Sequence, residues 1–474
     1  MEAQRDQWSG RLAFVLAAAG SAVGLGNLWK FPYITWENRG GAFVLVYLLC
    51  IAAIGLPVMI SEILIGRRTQ RSAVPAFRAL GTPRWAAAGW VGVIAGVLIL
   101  AFYGVIAGWS LRSFVQCVGW SIKGYEEPSP EAFGNFLADG GSQIGLGAVF
   151  LALTAIIVVR GISGGIEKAT KILMPVLLAI MLYLCITAVR LDGFGAAMSF
   201  LFKPSFSELG KDAVLEALGH AFFTLSLGMG AMITYGSYVQ KKESIVGISL
   251  TVAVLDTVVA LMACIIMFSV IFSVPELLET MNSGGGGSTV GMLFVTLPRL
   301  FYTAMPGGVV IGPLFYVLVA FAALSSTISL LEVVVATLVD RLEWPRLKAT
   351  IVASAVVFFF SIGCALSLGA SEFFSNFRLF GGIESLNEVF TTGKTGLLSV
   401  FDHITANWFL PVGGLLLTIY AGWILPREAT ADELDAGTTT PMWAYKGWLF
   451  VVRFVAPIAI GWIVYEVLTG GDFS

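Results

Sequence analysis

The chain has 474 residues, of which 57% are hydrophobic and only 12% charged. Soluble domains carry roughly 25% charged residues, so this composition excludes a soluble enzyme or binding module and indicates an integral membrane protein. A formal net charge of −2 says nothing about partners, and no nucleic-acid partner is expected.

A bilayer core of about 30 Å takes roughly 20 apolar residues per helix. Runs of that kind centre on residues 11–36, 42–66, 88–120, 142–159, 170–190, 214–238, 245–273, 309–339, 348–368, 398–425 and 443–468, about eleven spans. No A-x-A cleavage pattern precedes the first, so a removed signal peptide is not expected. Basic residues cluster in alternate connections: Arg5 and Arg11, then Arg67 to Arg84, Arg160 to Lys171, Lys241 and Lys242, Arg341 to Lys348, and Arg427 with Lys446. The positive-inside rule then predicts a cytoplasmic N-terminus in the cell's inner (plasma) membrane, with the far end of the chain outside.

The first span is interrupted. Its stretch "AAAGSAVGLGNLWKFP" (17–32) carries Gly20, Ser21, Gly24, Gly26 and Asn27 at bilayer depth. A broken helix in hydrocarbon leaves backbone groups unpaired at several kcal/mol each, so something there must use them. The second span holds Glu62, read either as bonded to freed backbone at a break or as lying near the cytoplasmic interface beside Arg67. In the fifth, Gly165 and Pro175 bracket a stretch predicted to act as a hinge, with a simple kinked helix start as the alternative. "GISGG" (161–165) matches G-x-S-x-G without a preceding strand, and chance explains it better than a nucleophile elbow.

The sixth span is interrupted at Ser226-Leu227-Gly228-Met229-Gly230, five spans after the first break. Paired Gly-broken segments in two halves mark a midplane site in secondary transporters. Five spans per half make the second copy inverted, which divides the chain into 11–190, an inverted 213–425, and an additional helix at 441–468. Asp256 lies mid-span in the seventh, where an ionised carboxylate is costly and functional by default; a protonated, structurally bonded Asp is the alternative. The stretch 281–291, "MNSGGGGSTVG", reads as a flexible loop, followed by a short re-entrant or lid helix at 292–301. In the eighth span, Ala322, Ser325 and Ser326 share one helix face, although Ser in membrane helices usually bonds its own backbone. Residues 370–396 read as a long external loop. Lys30 with Asp402, and Arg5 with Asp340, lie near opposite ends of spans as candidate gates. With two His and no Cys cluster, neither a metal centre nor enzyme chemistry is expected.

These motifs resemble the neurotransmitter:sodium symporter family. "RDQWSGRLAFVLAAAGSAVGLGNLWKFPY", "ENRGGAF", "RGISGGIEKATKILMP", "FFTLSLGMGAMITYGSYV" and "VGMLFVTLPRLF" occur in family order, and the likeness runs to about residue 425. The resemblance implies an all-α membrane protein of about eleven helices with the five-plus-five inverted repeat of the LeuT fold, helices one and six unwound at mid-membrane. It implies sodium-coupled import of hydrophobic, aliphatic and aromatic L-amino acids by a functional monomer, independent of chloride. Small neutral amino acids, or another amine-bearing solute, are the alternative cargo.

Carried over by motif, one sodium ion would meet the carbonyls of Gly20, Val23 and Ala322 with the hydroxyls of Ser325 and Ser326. A second would meet the Ala22 carbonyl, Asn27, Thr224, Asp256 and the substrate carboxylate. The amides of Leu25 and Gly26 with the Tyr103 hydroxyl would hold that carboxylate. The carbonyls of Ala22, Phe223 and Thr224, with the Ser226 hydroxyl, would hold the ammonium. Ile99, Tyr103, Phe223, Met229, Ser326 and Leu330 would line the side-chain pocket, with Gly24 leaving room, and Phe223 and Tyr103 would form the lid. Ser21, Lys30 and Arg39 depart from the family pattern; Lys30 in place of Arg removes a bidentate pair with Asp402.

Overall fold

A helix survives in hydrocarbon because it pairs every backbone group internally, and the described residues form helices throughout the apolar runs. The computed structural model describes residues 6–129, 131–210, 212–282, 291–303, 305 and 307–472. Among these, nine helices are long and apolar enough to cross a membrane: Gly41–Thr69, Pro83–Lys123, Gly140–Val158, Ile162–Ala188, Ile245–Ser273, Gly308–Leu342, Arg346–Leu366, Leu397–Ile424 and Met442–Leu468. The pair Arg11–Ala22 and Gly26–Glu37, bent by 53°, supplies a tenth span, the first in chain order. The sixth span is made of the short helices Ala213–Thr224 and Ala231–Gly236. Eleven spans follow, as the hydropathy pattern predicts.

Both breaks lie where small residues interrupt the apolar run. In the first span the helix ends at Ala22, Val23 is extended, and the chain resumes as a wide π-helical turn at Gly26–Lys30. In the sixth, Ser226, Gly228 and Gly230 all take positive φ, at 55°, 76° and 71°. Gly228 is required there: a Cβ would sit 2.3 Å from the Leu410 carbonyl oxygen of the tenth span. Ser226 pays a steric cost of about 1–2 kcal/mol for a left-handed conformation, and its hydroxyl donates to the Ser21 carbonyl at 3.0 Å across the two breaks.

The third span packs along the eighth, and the first is enclosed by the fifth, seventh and eighth. Glu62 is fully buried in the second span, and its carboxylate accepts from the Gly228 amide at 2.7 Å. That resolves its two readings in favour of the bond to freed backbone. The fifth helix begins with a π-helical turn at Ile162–Ile166 and runs unbroken through Pro175 to Ala188. In this conformation the predicted hinge is therefore wound, and "GISGG" is the helix start. Of the predicted loop 281–291, residues 283–290 lie outside the described residues, and 292–303 are helical as expected. The 370–396 connection contains two short helices, Glu372–Ser375 and Glu384–Thr391.

Candidate functional site

Both breaks open onto one pocket at the centre of the bundle. Ser21, Ala22, Gly24 and Gly26 of the first span line it, with Ile99 and Tyr103 of the third. The sixth contributes Phe223, Thr224, Ser226 and Met229, and the eighth Ser326, Ser329 and Leu330. Every residue expected to line the side-chain pocket is present. Gly24 is needed for room, since a Cβ there would lie 2.7 Å from Ser326 Oγ and 3.0 Å from the Tyr103 hydroxyl. The Leu25 amide donates to Tyr103 OH at 3.0 Å, so two of the three groups expected to meet a carboxylate are in contact.

Behind Thr224 of the pocket wall lies Asp256. The carboxylate is fully buried and accepts from Asn27 Nδ2 at 2.7 Å and from Thr224 Oγ1 at 2.9 Å, both on Oδ1. Tyr47 donates to Oδ2 at 3.3 Å. Asn27 uses its other end inside the break, where Oδ1 accepts from the Gly24 amide at 3.0 Å. The structure brings together Asn27, Thr224 and Asp256, the side chains the sequence reading grouped. That reading missed Tyr47, whose only signal was a tyrosine hydroxyl in an apolar second span.

The serine face of the eighth span reaches the same pocket through Ser326 and Ser329. Ser325 Oγ bonds the Ala322 carbonyl at 3.0 Å; Ser326 Oγ lies 3.3 Å from both the Ala322 and Ser21 carbonyls. Gly20 lies against this face: a Cβ on it would be 3.2 Å from Ser325 Cβ and 3.3 Å from Met174 Sδ of the fifth span. Val23 is fully buried in the extended link. Ser325 thus bonds its own helix, while Ser326 also reaches across to the first span beside the break, an array of neutral oxygens of the kind that suits a hard monovalent cation. Sequence reading also missed Ser329, which accepts from Ser21 Oγ at 2.8 Å. Extending the stripe from Ser326 by three residues would have found it.

Tyr103, Phe223 and Gly26 line both this pocket and a wider vestibule of about 610 Å³, and so partition the two. Lys30 and Asp402 both line the vestibule. They are not within ion-pair distance among the described residues; Lys30 Nζ instead lies 5.6 Å from the Phe223 ring centroid. The two candidate gate residues share a cavity without touching. On the opposite face, Asp340 accepts from the Ser72 amide at 2.7 Å, while its expected partner Arg5 lies outside the described residues. That face is closed by Trp8, whose indole donates to the Tyr235 carbonyl at 3.1 Å. Buried Glu332 there accepts from Tyr238 at 2.8 Å and pairs with Arg346.

The sodium:neurotransmitter symporter family model matches residues 5–123 and 135–469. The sodium-dependent transporter YhdH of Bacillus subtilis is 33% identical over 96% of both chains. A sodium-dependent transporter of Methanocaldococcus jannaschii is 31% identical over 99% of this chain and 92% of its own. The crystal structure of MhsT in complex with L-phenylalanine superposes with a TM-score of 0.81 at 39% identity, covering 98% of this chain and all of that one. The chain belongs to the sodium:neurotransmitter symporter family and is a multi-pass, sodium-coupled membrane transporter of the LeuT fold.

Proposed function

We propose that the protein imports hydrophobic L-amino acids, aliphatic and aromatic, by alternating access, each cycle driven by the inward flow of two sodium ions. One observation carries the reading: the two breaks converge on a single pocket lined by Thr224, which bonds Asp256 beside Asn27, and by Ser326, which neighbours Ser325 on the eighth span. Half-helix ends offer carbonyls to cations and amides to a carboxylate. One sodium takes the Gly20, Val23 and Ala322 carbonyls with Ser325 and Ser326. The other takes the Ala22 carbonyl, Asn27, Thr224, Asp256 and the substrate carboxylate, which is also held by the Leu25 and Gly26 amides. Because that carboxylate completes an ion site, substrate and sodium raise each other's affinity.

Ile99, Met229 and Leu330 make the side-chain wall apolar, which disfavours charged side chains. The bound L-phenylalanine of the similar MhsT structure supports cargo of this class. Asp256 supplies fixed negative charge beside the ions and makes chloride unnecessary. The chain acts as a monomer in the plasma membrane, with the vestibule outside and the N-terminus in the cytoplasm. Segments 11–190 and 213–425 act as inverted repeats, with 441–468 as an added helix. A second reading, small neutral amino acids, is favoured by the narrowness of the midplane cavity, about 30 Å³.

The test is competition for uptake into proteoliposomes, in sodium against potassium buffer. Sodium-dependent accumulation inhibited best by Phe, Leu and Trp supports the first reading. Inhibition best by Gly and Ala supports the second. Uptake that never exceeds equilibration, or is unaffected by sodium, overturns both.

A further inference from the structure

The last span ends in a turn that sends the chain back across the vestibule. Gly470 takes a φ of 101°, and the Gly471 amide closes onto the Glu466 carbonyl at 2.8 Å, a helix stop that satisfies the final carbonyls. Asp472 follows and lines the vestibule together with Asp402. Three side-chain nitrogens converge on its carboxylate. Lys394 Nζ lies 2.8 Å from Oδ2, while Asn407 Nδ2 and His403 Nδ1 each lie 3.1 Å from Oδ1. Lys394 comes from the connection before the tenth span. His403 and Asn407 come from that span itself, one on each side of the point where its first helix, Leu397–Ile404, gives way to a π-helical turn at Thr405–Phe409.

A wide turn is a place where a helix can change direction at small cost, because its hydrogen bonds are already displaced from the regular register. The outer helix Leu397–Ile404 carries Leu398, Ser399 and Asp402 into the vestibule wall. Asp472 grips that helix just before the turn through His403 and within the turn through Asn407. We propose that Asp472 is a positioning residue of the vestibule wall: a latch that holds the outer part of the tenth span, and Asp402 with it, in the position it takes here, where Tyr103 and Phe223 partition the pocket from the vestibule. The proposal rests on the alternating-access reading, in which that wall moves. The charge-assisted contact with Lys394 adds a grip on the connection leading into the helix.

The test places a reporter thiol at Ser399, which is exposed in the vestibule. Ser399→Cys in purified protein is labelled with a membrane-impermeant methanethiosulfonate, with and without sodium plus L-phenylalanine, against the parent chain for background. Sodium and L-phenylalanine together should slow labelling in this background. Adding Asp472→Asn, or separately Lys394→Ala, should speed labelling of the liganded protein by about fivefold, the scale of a single coupling contact. The double variant should add little more, since both changes open one latch. Labelling of liganded Asp472→Asn protein as slow as in its parent overturns the latch and leaves alternating access standing. A parent whose labelling ignores sodium and L-phenylalanine overturns the closure itself, and the latch with it. Faster labelling accompanied by an equal fall in thermal stability in both variants also overturns it, because Asp472 then only holds the fold.

Discussion

Asn27 and Asp256, 229 residues apart, are joined at 2.7 Å, so the break in the first span is tied to the middle of the seventh. Thr224, at the end of the first half of the sixth span, bonds the same carboxylate oxygen. The first and sixth spans therefore meet the seventh at one buried acid beside their breaks, with Tyr47 of the second span on its other oxygen.

Replacing that acid separates its charge from its hydrogen bonds. Asp256→Asn retains an acceptor for Thr224 but removes the charge that balances sodium in a low-dielectric site. Sodium and substrate affinities should fall together, each by about tenfold or more, on a scale where tenfold is about 1.4 kcal/mol. Isothermal titration with each ligand at fixed concentration of the other measures both. Wild-type uptake should persist when chloride is replaced by gluconate; a collapse would remove Asp256 from this role.

Ser325 supplies one neutral oxygen on the face opposite Gly20. Its loss should cost about one hydrogen-bond equivalent, or roughly a fivefold higher sodium concentration for half-maximal binding. Thermal stability in the absence of sodium should stay within about 1 kcal/mol, as expected for a substitution of this size. An unaltered sodium dependence in Ser325→Ala/Ser326→Ala protein would make these hydroxyls packing groups bonded to their own helix.

The fifth span touches the same place. Met174 packs against Gly20, and Pro175 follows within a helix that is wound from Ile162 to Ala188. If this segment opens to release the ion, Pro175, which lacks one backbone bond, lowers the barrier. Pro175→Ala should then slow turnover about threefold or more, while shifting equilibrium substrate affinity by under about 0.5 kcal/mol. Uptake rates and binding isotherms on one preparation decide, and an equal loss in both would indicate damaged folding.

Met229 lies between Gly228 and Gly230 and lines the pocket beside Leu330. Its unbranched thioether can move aside for a large ring and still contact it. In Met229→Phe protein, Trp should lose about tenfold more affinity than Ala, a difference of the size expected for overfilling a tight apolar site. Competition curves in the two proteins provide the comparison. A wild type that prefers Ala to Trp would end this account of the pocket.

Hydropathy and glycine placement determined a great deal. The bilayer demands long apolar helices from any chain that crosses it, so the spans were legible one by one. Gly24, Gly26, Gly228 and Gly230 marked the breaks because local backbone freedom is a property of the residue itself. Asp256 and the face holding Ser325 and Ser326 stood out for the same reason: a polar group at that depth is costly wherever it lies. The tertiary structure alone decided which groups meet. Tyr47 on Asp256, Glu62 on the Gly228 amide, Ser329 on Ser21 and Asp472 on the tenth span each join residues more than sixty positions apart. It also kept Lys30 and Asp402 out of contact, although both line one cavity. Burial cost is set residue by residue and can be read along the chain, whereas the partner that offsets it is set by how the helices pack.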